Sequence, residues 1–235
     1  MASHGSFTII LLPKQIANEE QWNKLVELAR EFRLTSLKLA GGLFGRSYEQ
    51  EVDMPLEFWT NRVANPKATT FVAVRRETSD TNDTQSNDSK LIFESEWLGW
   101  IVPLGPQDGF AEFPGSTSPW EMLSRDNTVS PRNDAMPTSI RQFLITGMFV
   151  LPNTRGTGVG RALVNTALDN ALRETKASGA KEMMCTLIVD KDNDPARTLY
   201  ERCGFQGVRE KWFKPEIGEE RIALTMRLSR SVDAV

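Results

Sequence analysis

The chain has 235 residues, 40% of them hydrophobic and 25% charged, with a formal net charge of -3. That length and apolar content suffice to bury a domain-sized core, and the slightly negative charge excludes an electrostatic case for nucleic acid as a main partner. One histidine, His4, and two cysteines, Cys185 and Cys203, exclude a His-based triad, a zinc site and a disulfide scaffold, so no metal is expected and both thiols are read as buried and inert. No apolar run reaches 18 residues and Phe7–Leu12 is too short for a signal-peptide core, so no membrane association and a cytoplasmic or nuclear location are expected.

Phe7 to Leu12 predicts a first strand stopped by Pro13. Asn18, followed by Glu19 and Glu20, suits an N-cap, and apolar residues at Trp22, Leu25, Val26, Leu28, Ala29 and Phe32 predict a helix ending near Phe32. A glycine-rich loop from Ala40 to Gly45 leads to Tyr48 and the acids Glu49, Glu51 and Asp53, which read as solvated surface. Pro55 opens a second helix through Val63. Thr69–Val74 and Trp97–Leu104 alternate as antiparallel strands, with residues 76–90 between them expected to be a polar, mobile hairpin loop. Residues 105–139 carry five prolines and several aromatics and form an irregular insertion, either a lid packed on the surface or a disordered segment.

Phe143 to Leu151 is an apolar strand that Pro152 ends. Then come Asn153, Thr154 and Arg155-Gly156-Thr157-Gly158-Val159-Gly160, after which Leu163, Val164, Ala167, Leu168, Ala171 and Leu172 recur at helical spacing. A helix start presents about four unpaired amides at the positive end of the macrodipole, and glycines let an anion approach them. The segment therefore suits a phosphate or pyrophosphate, with Arg155 as an added donor, although glycines also serve a merely tight turn. A nucleotide-hydrolase loop would end in Gly-Lys-Ser or Gly-Lys-Thr, and Gly160-Arg161-Ala162 excludes it. The dinucleotide fingerprint G-x-G-x-x-G is matched only as G-x-G-x-G after a three-residue lead, which leaves a nicotinamide-dependent oxidoreductase as a poorer fit, kept open by Asp190. A strand from Met183 to Val189, a short helix from Pro195 to Arg202 and a closing hairpin, Gln206–Phe213 with Arg221–Leu228, complete the chain.

Arg155-Gly-Thr-Gly-Val-Gly160 resembles the R/Q-x-x-G-x-G/A signature of the GCN5-related N-acetyltransferases (GNAT). Asn193-Asp-Pro-Ala196-Arg-Thr-Leu199-Tyr200-Glu-Arg-Cys-Gly204-Phe205 resembles that family's N-x-x-A-x-x-L-Y-x-x-x-G-F. The resemblance covers Phe143 to Phe205. It implies a mixed α/β (α+β) fold, a central sheet of about seven strands flanked by about four helices, and one acetyltransferase domain over residues 1–235. It also implies acetyl-CoA as cosubstrate, and a small-molecule or peptide amine that attacks the thioester directly.

Carried onto this chain, the resemblance places the pyrophosphate on Arg155, Gly156, Thr157, Gly158, Val159 and Gly160. Pantetheine falls on the backbone of Met148, Phe149 and Val150, with a further cofactor contact at Asn193. Tyr200 falls where the family has a tyrosine close to the leaving sulfur; a phenol's ordinary pKa of about 10 lets it donate a proton to a thiolate. Packing in the helix is the alternative role for Tyr200. Relatives carry a glutamate at a position that is Ile188 here, and the central strand offers only Gln142 and Thr146, so no base is assigned. Asp190 is a candidate base, and Tyr48 and Glu49 are candidate acceptor contacts. A homodimer is compatible with this reading, and a non-catalytic acyl-CoA-binding module of the same fold is the alternative function.

Overall fold

The computed structural model describes residues 6–40, 42–76, 87–108, 139–213 and 220–234. Seven strands form one sheet: β1 (Phe7–Leu11), β2 (Phe71–Arg75), β3 (Trp97–Asp108), β4 (Ile140–Val150), β5 (Glu182–Asp190), β6 (Gln206–Phe213) and β7 (Arg221–Ser231). Their spatial order is β1-β2-β3-β4-β5-β7-β6, and every neighbouring pair is antiparallel except β4 with β5. A parallel pair needs a crossover, and α5 (Val159–Ala177) supplies it. Six α-helices lie among the described residues: α1 (Glu19–Leu39), α2 (Tyr48–Glu51), α3 (Leu56–Ala64), α4 (Asn87–Glu94), α5 and α6 (Asp194–Arg202). The sheet agrees with expectation, and the helices are more numerous than expected.

Two apolar clusters sandwich the sheet. On one face Leu163, Val164, Ala167, Leu168 and Ala171 of α5 meet Phe143, Ile145, Met183, Cys185, Leu187, Met226 and Leu228. On the other, Leu25, Ala29 and Phe32 of α1 meet Ile10, Val72, Val74, Trp97, Trp100 and Phe149. A fully buried side chain of this size contributes roughly 1.5–3 kcal/mol, so these two faces supply most of the force holding the sheet between its helices. Burial pushes the Cys185 thiol up to about 12 and raises that of Cys203, so neither is a thiolate at neutral pH.

Several boundaries differ from the sequence reading, β4 starting at Ile140 and β7 running to Ser231 among them. Helix α1 runs on to Leu39 rather than stopping near Phe32, because the next residue, Arg33, turns inward. Asn18 does cap its start, its side chain accepting from the Gln21 amide at 2.9 Å. The polar stretch 76–90 is helical from Asn87, where Leu91 and Ile92 anchor α4 in the second cluster. Strand β3 runs to Asp108, so residues 105–108 of the expected insertion belong to the sheet. The rest of the polar loop (77–86), of the insertion (109–138) and of the turn around Pro215 and Gly218 lies outside the described residues.

Of the three acids after Tyr48, Glu51 is not surface. It is fully buried, and both its oxygens accept from Arg33, at 2.9 and 2.8 Å, with Arg62 at 3.4 Å. Burial alone would raise the Glu51 carboxyl, but the hydrogen bonds and charge of Arg33, with Arg62 and Arg46, outweigh it and hold the group below its ordinary 4.5. The pair locks α2 to α1, and α3 joins through Arg62.

Glu51→Ala strands the Arg33 guanidinium in the interior and is expected to cost about 3–5 kcal/mol in a urea titration. Because the folded carboxyl titrates below the unfolded one, its contribution is complete above pH 4.5 and is lost as pH falls through the folded value. The stability gap between wild type and Glu51→Gln is therefore expected to close on acidification and to stay constant from pH 6 to 8.

Candidate active site

The site begins with a fault in the sheet. Strand β4 pairs in parallel with β5 from Ile140↔Glu182 to Ile145↔Leu187, and there the ladder stops. Beyond it β4 stays on β3 through Phe149↔Trp100 and Val150↔Gly99, while β5 stays on β7 as far as Asp190↔Ala223. The two strands therefore part, and the β5-facing backbone of Thr146 to Val150 has no partner from β5. The cause is local. The β3–β4 register slips between Trp100 and Val102, placing an extra residue in β4, and Gly147 takes it up at φ 59. A bulge with left-handed glycine bends and twists its strand, here away from β5. The sequence shows this signal as an isolated glycine, Gly147, inside the apolar strand pattern from Phe143 to Leu151.

The turn after β4 is held to β3. Leu151 N–H donates to Leu98 O at 2.9 Å, and the buried Thr154 hydroxyl reaches Leu151 O at 3.0 Å and Leu98 O at 3.4 Å. Pro152–Thr154 forms a short 3₁₀ turn, after which Gly156 and Gly158 adopt φ 81 and 93. Added Cβ atoms at these two glycines would meet nothing within 4 Å, so the space beside each of them is open. Gly160 differs. A Cβ there would lie 3.2 Å from Leu199 Cδ2, 3.5 Å from Met148 Cε and 3.7 Å from Val150 Cγ2. This third glycine lets the start of α5 seat against β4 and α6 together.

Thr157 donates to Thr154 O at 2.7 Å, tightening the turn. Arg155 is exposed, its Nε donating to Val150 O at 3.2 Å and its guanidinium 5.9 Å from the Phe149 ring. Phe149 itself is buried in the α1-side cluster, so only its backbone is available to a ligand in the opening. The start of α5 offers first-turn amides without intrahelical partners, at the positive end of the macrodipole.

Of the predicted residues, the structure brings together the turn, Met148, Val150 and α6. Asn193 caps α6, its side chain accepting from the Ala196 amide at 3.3 Å. Tyr200 lies in the main core, its ring at 5.9 Å and a near-perpendicular tilt from Phe205. Burial, helped by Cys203, pushes its phenol above the ordinary value of 10, so at neutral pH the hydroxyl carries its proton. Thr146 donates to Val102 O at 2.9 Å.

The other candidates are held elsewhere. Asp190 ends β5, and one oxygen accepts from the Asp192 amide at 3.0 Å while the other lies 3.4 Å from Arg221 Nε. Tyr48 sits in α2 with the Lys38 ammonium 4.2 Å from its ring centre, and Glu49 is exposed beside it, its carboxyl held below the usual range by a backbone hydrogen bond at the helix start. Among the described residues, no group of three His, Cys, Asp or Glu side chains is placed to hold a metal ion, and no helix is long and apolar enough to cross a membrane.

Residues 129–205 match the model of the Acetyltransferase (GNAT) family, a span containing β4, the glycine turn, α5, β5 and α6. No curated protein matches the chain by sequence. Among solved structures, NAA60 of Arabidopsis thaliana in complex with acetyl-CoA superposes over 97% of this chain and 100% of its own, at 17% identity and a TM-score of 0.52. An acetyltransferase of the GNAT family from Streptococcus pneumoniae does so over 96% and 100%, at 14% identity and a TM-score of 0.52. A mutant of spermidine N-acetyltransferase SpeG from Vibrio cholerae covers 95% of this chain and 93% of its own, at 14% identity and a TM-score of 0.50. The family match over residues 129–205 and the shared fold agree with the two sequence signatures.

Proposed function

We propose that the protein moves an acetyl group from acetyl-CoA to the amine of a small molecule or peptide, by direct attack of the amine nitrogen on the thioester carbon. The observation that carries this is the opening between β4 and β5, followed directly along the chain by a glycine turn with open space beside Gly156 and Gly158. A diphosphate fits the turn, where Gly156 and Gly158 present no side chain and Arg155 adds a cation. An extended, amide-bearing arm fits the edge of Thr146 to Val150 that β5 leaves, and can take up strand-like hydrogen bonds there in place of β5. NAA60 with acetyl-CoA, on the same fold, supports this reading.

The reaction needs a donor for the departing sulfur more than it needs a strong base. As the C–N bond forms and the C–S bond breaks, the sulfur takes the electron pair and a proton from the Tyr200 hydroxyl. The amine gives up its proton to water, and Tyr200 is reprotonated from solvent. Glu51 and Asp190 are both neutralised by arginines, which favours a water route over a carboxylate base. Placing the amine and the thioester side by side supplies the larger share of the acceleration, as expected for a transfer between two bound groups.

Calorimetry with acetyl-CoA is expected to give saturable binding, and a thiol-release assay across spermidine, aminoglycosides, aryl amines, amino acids and peptides with free N-termini is expected to find an acceptor. Absence of binding heat would overturn the reading, and binding without any acceptor would make the chain an acyl-CoA-binding module. Tyr200→Phe is expected to lower turnover by about 10- to 100-fold, near the lower end of what acid catalysis contributes, with acetyl-CoA affinity unchanged in the same calorimeter.

A further inference from the structure

Resting on that acyl-transfer reading, we infer that Arg221 is a positioning residue: it pins the loop between α1 and α2 across the mouth of the β4–β5 opening and so sets the wall against which the acceptor amine is held. Arg221 is the first residue of β7, opposite Phe213 of β6. Alternation along β7 sends Met226 and Leu228 into the α5-side core and leaves Arg221 on the other face, the one that α1 covers farther along the sheet. All three guanidinium nitrogens are engaged. Nη1 donates to Gly42 O, Nη2 donates to Phe44 O at 2.9 Å, and Nε lies 3.4 Å from the Asp190 carboxylate.

These partners close a circuit. Asp190 is the last residue of β5, Arg221 begins β7, and Gly42 and Phe44 belong to the α1–α2 loop. The Phe44 ring in turn lies 6.5 Å from the ring of Phe149 in β4, with the Arg33 guanidinium 4.8 Å from the Phe44 ring centre. The loop is thus tied to β5 and β7 through Arg221 and to β4 through Phe44, and it bridges the strands at the point where their own ladder has ended. An amine approaching a thioester lodged in the opening from the α1 side passes this bridge.

The chemistry requires arginine. A planar fork can serve two carbonyls and a carboxylate at once, whereas an ammonium is a single point of charge. With side chains only 21% and 10% exposed, Arg221 and Asp190 are screened less than a surface pair, so the contact keeps its value at physiological salt. The same contact accounts for Asp190, which holds the latch in place.

Two readouts test this. Hydrogen exchange at the amides of residues 42–46 is expected to accelerate by about tenfold or more in Arg221→Gln, with the amides of β4 and β5 unchanged. Steady-state kinetics with spermidine and with a peptide bearing a free N-terminal amine is expected to show the KM for the accepted amine raised by about tenfold and the KM for acetyl-CoA within about twofold of wild type. Arg221→Lys is expected to stay near the Gln variant, and its recovery to wild-type values would show that charge alone suffices and overturn the latch. Unchanged exchange at 42–46 also overturns it, whatever the turnover assay returns. Faster exchange with an unmoved amine KM assigns the contact to stability and likewise overturns the positioning role. A wild-type chain inert toward every amine sinks the acyl-transfer reading and the positioning role that rests on it, while the exchange result still shows whether Arg221 holds the loop.

Discussion

The site depends on one broken ladder. A parallel pair in the middle of a sheet ordinarily satisfies every backbone group on both sides, because an unpaired amide or carbonyl away from water is costly. Here β4 and β5 pair for six residues and then separate, since Gly147 gives β4 one residue too many against β3. The groups so released are the ones that the proposed acyl-transfer reading offers to an extended ligand with amides of its own. The glycine turn sits immediately beyond because β4 runs into it, so one strand delivers both the polar edge and the start of α5.

Around this fault the structure is fastened on both sides. Leu151 and Thr154 tie the turn to β3, while Lys191 N–H donates to Ile222 O at 2.8 Å and the Lys191 ammonium meets Glu210 at 2.7 Å, tying the end of β5 to β7 and β6. Preorganisation of this kind suits the proposed transfer between two bound groups, because geometry fixed beforehand does not have to be recovered during reaction. The buried pair of Arg33 and Glu51 does the same for α1 and α2.

What the sequence made legible was local. The strand, the turn and α5 follow one another within 38 residues, and the change of period from two to 3.6 with glycines between them is a pattern that needs no knowledge of the rest of the fold. The α6 segment is equally local, with Asn193 capping and Gly204 closing at φ 97. The features that escaped are those whose meaning is set by distant partners. Arg221 finds its carbonyls 179 and 177 residues earlier. Glu51 looked like one of three solvated acids because its neighbours in sequence are polar, and only the inward turn of Arg33 makes it interior; that same buried arginine hid the last two turns of α1. No base is legible for a related reason: Glu51 and Asp190 are held by arginines, which spacing along the chain does not reveal.

The two signatures occupy a continuous block from Phe143 to Phe205, yet that block is not a transplantable module. Excised, β4 would lose β3 and expose a bare hydrogen-bonding edge, the turn would lose the carbonyl of Leu98 that anchors it, and β5 would face solvent where β7 had lain. Recombining such a block into another scaffold would carry over the recognisable letters and leave behind the flanking strands that make them a site. In this protein, then, the diagnostic residues and the residues that give them their shape are inherited through different stretches of chain.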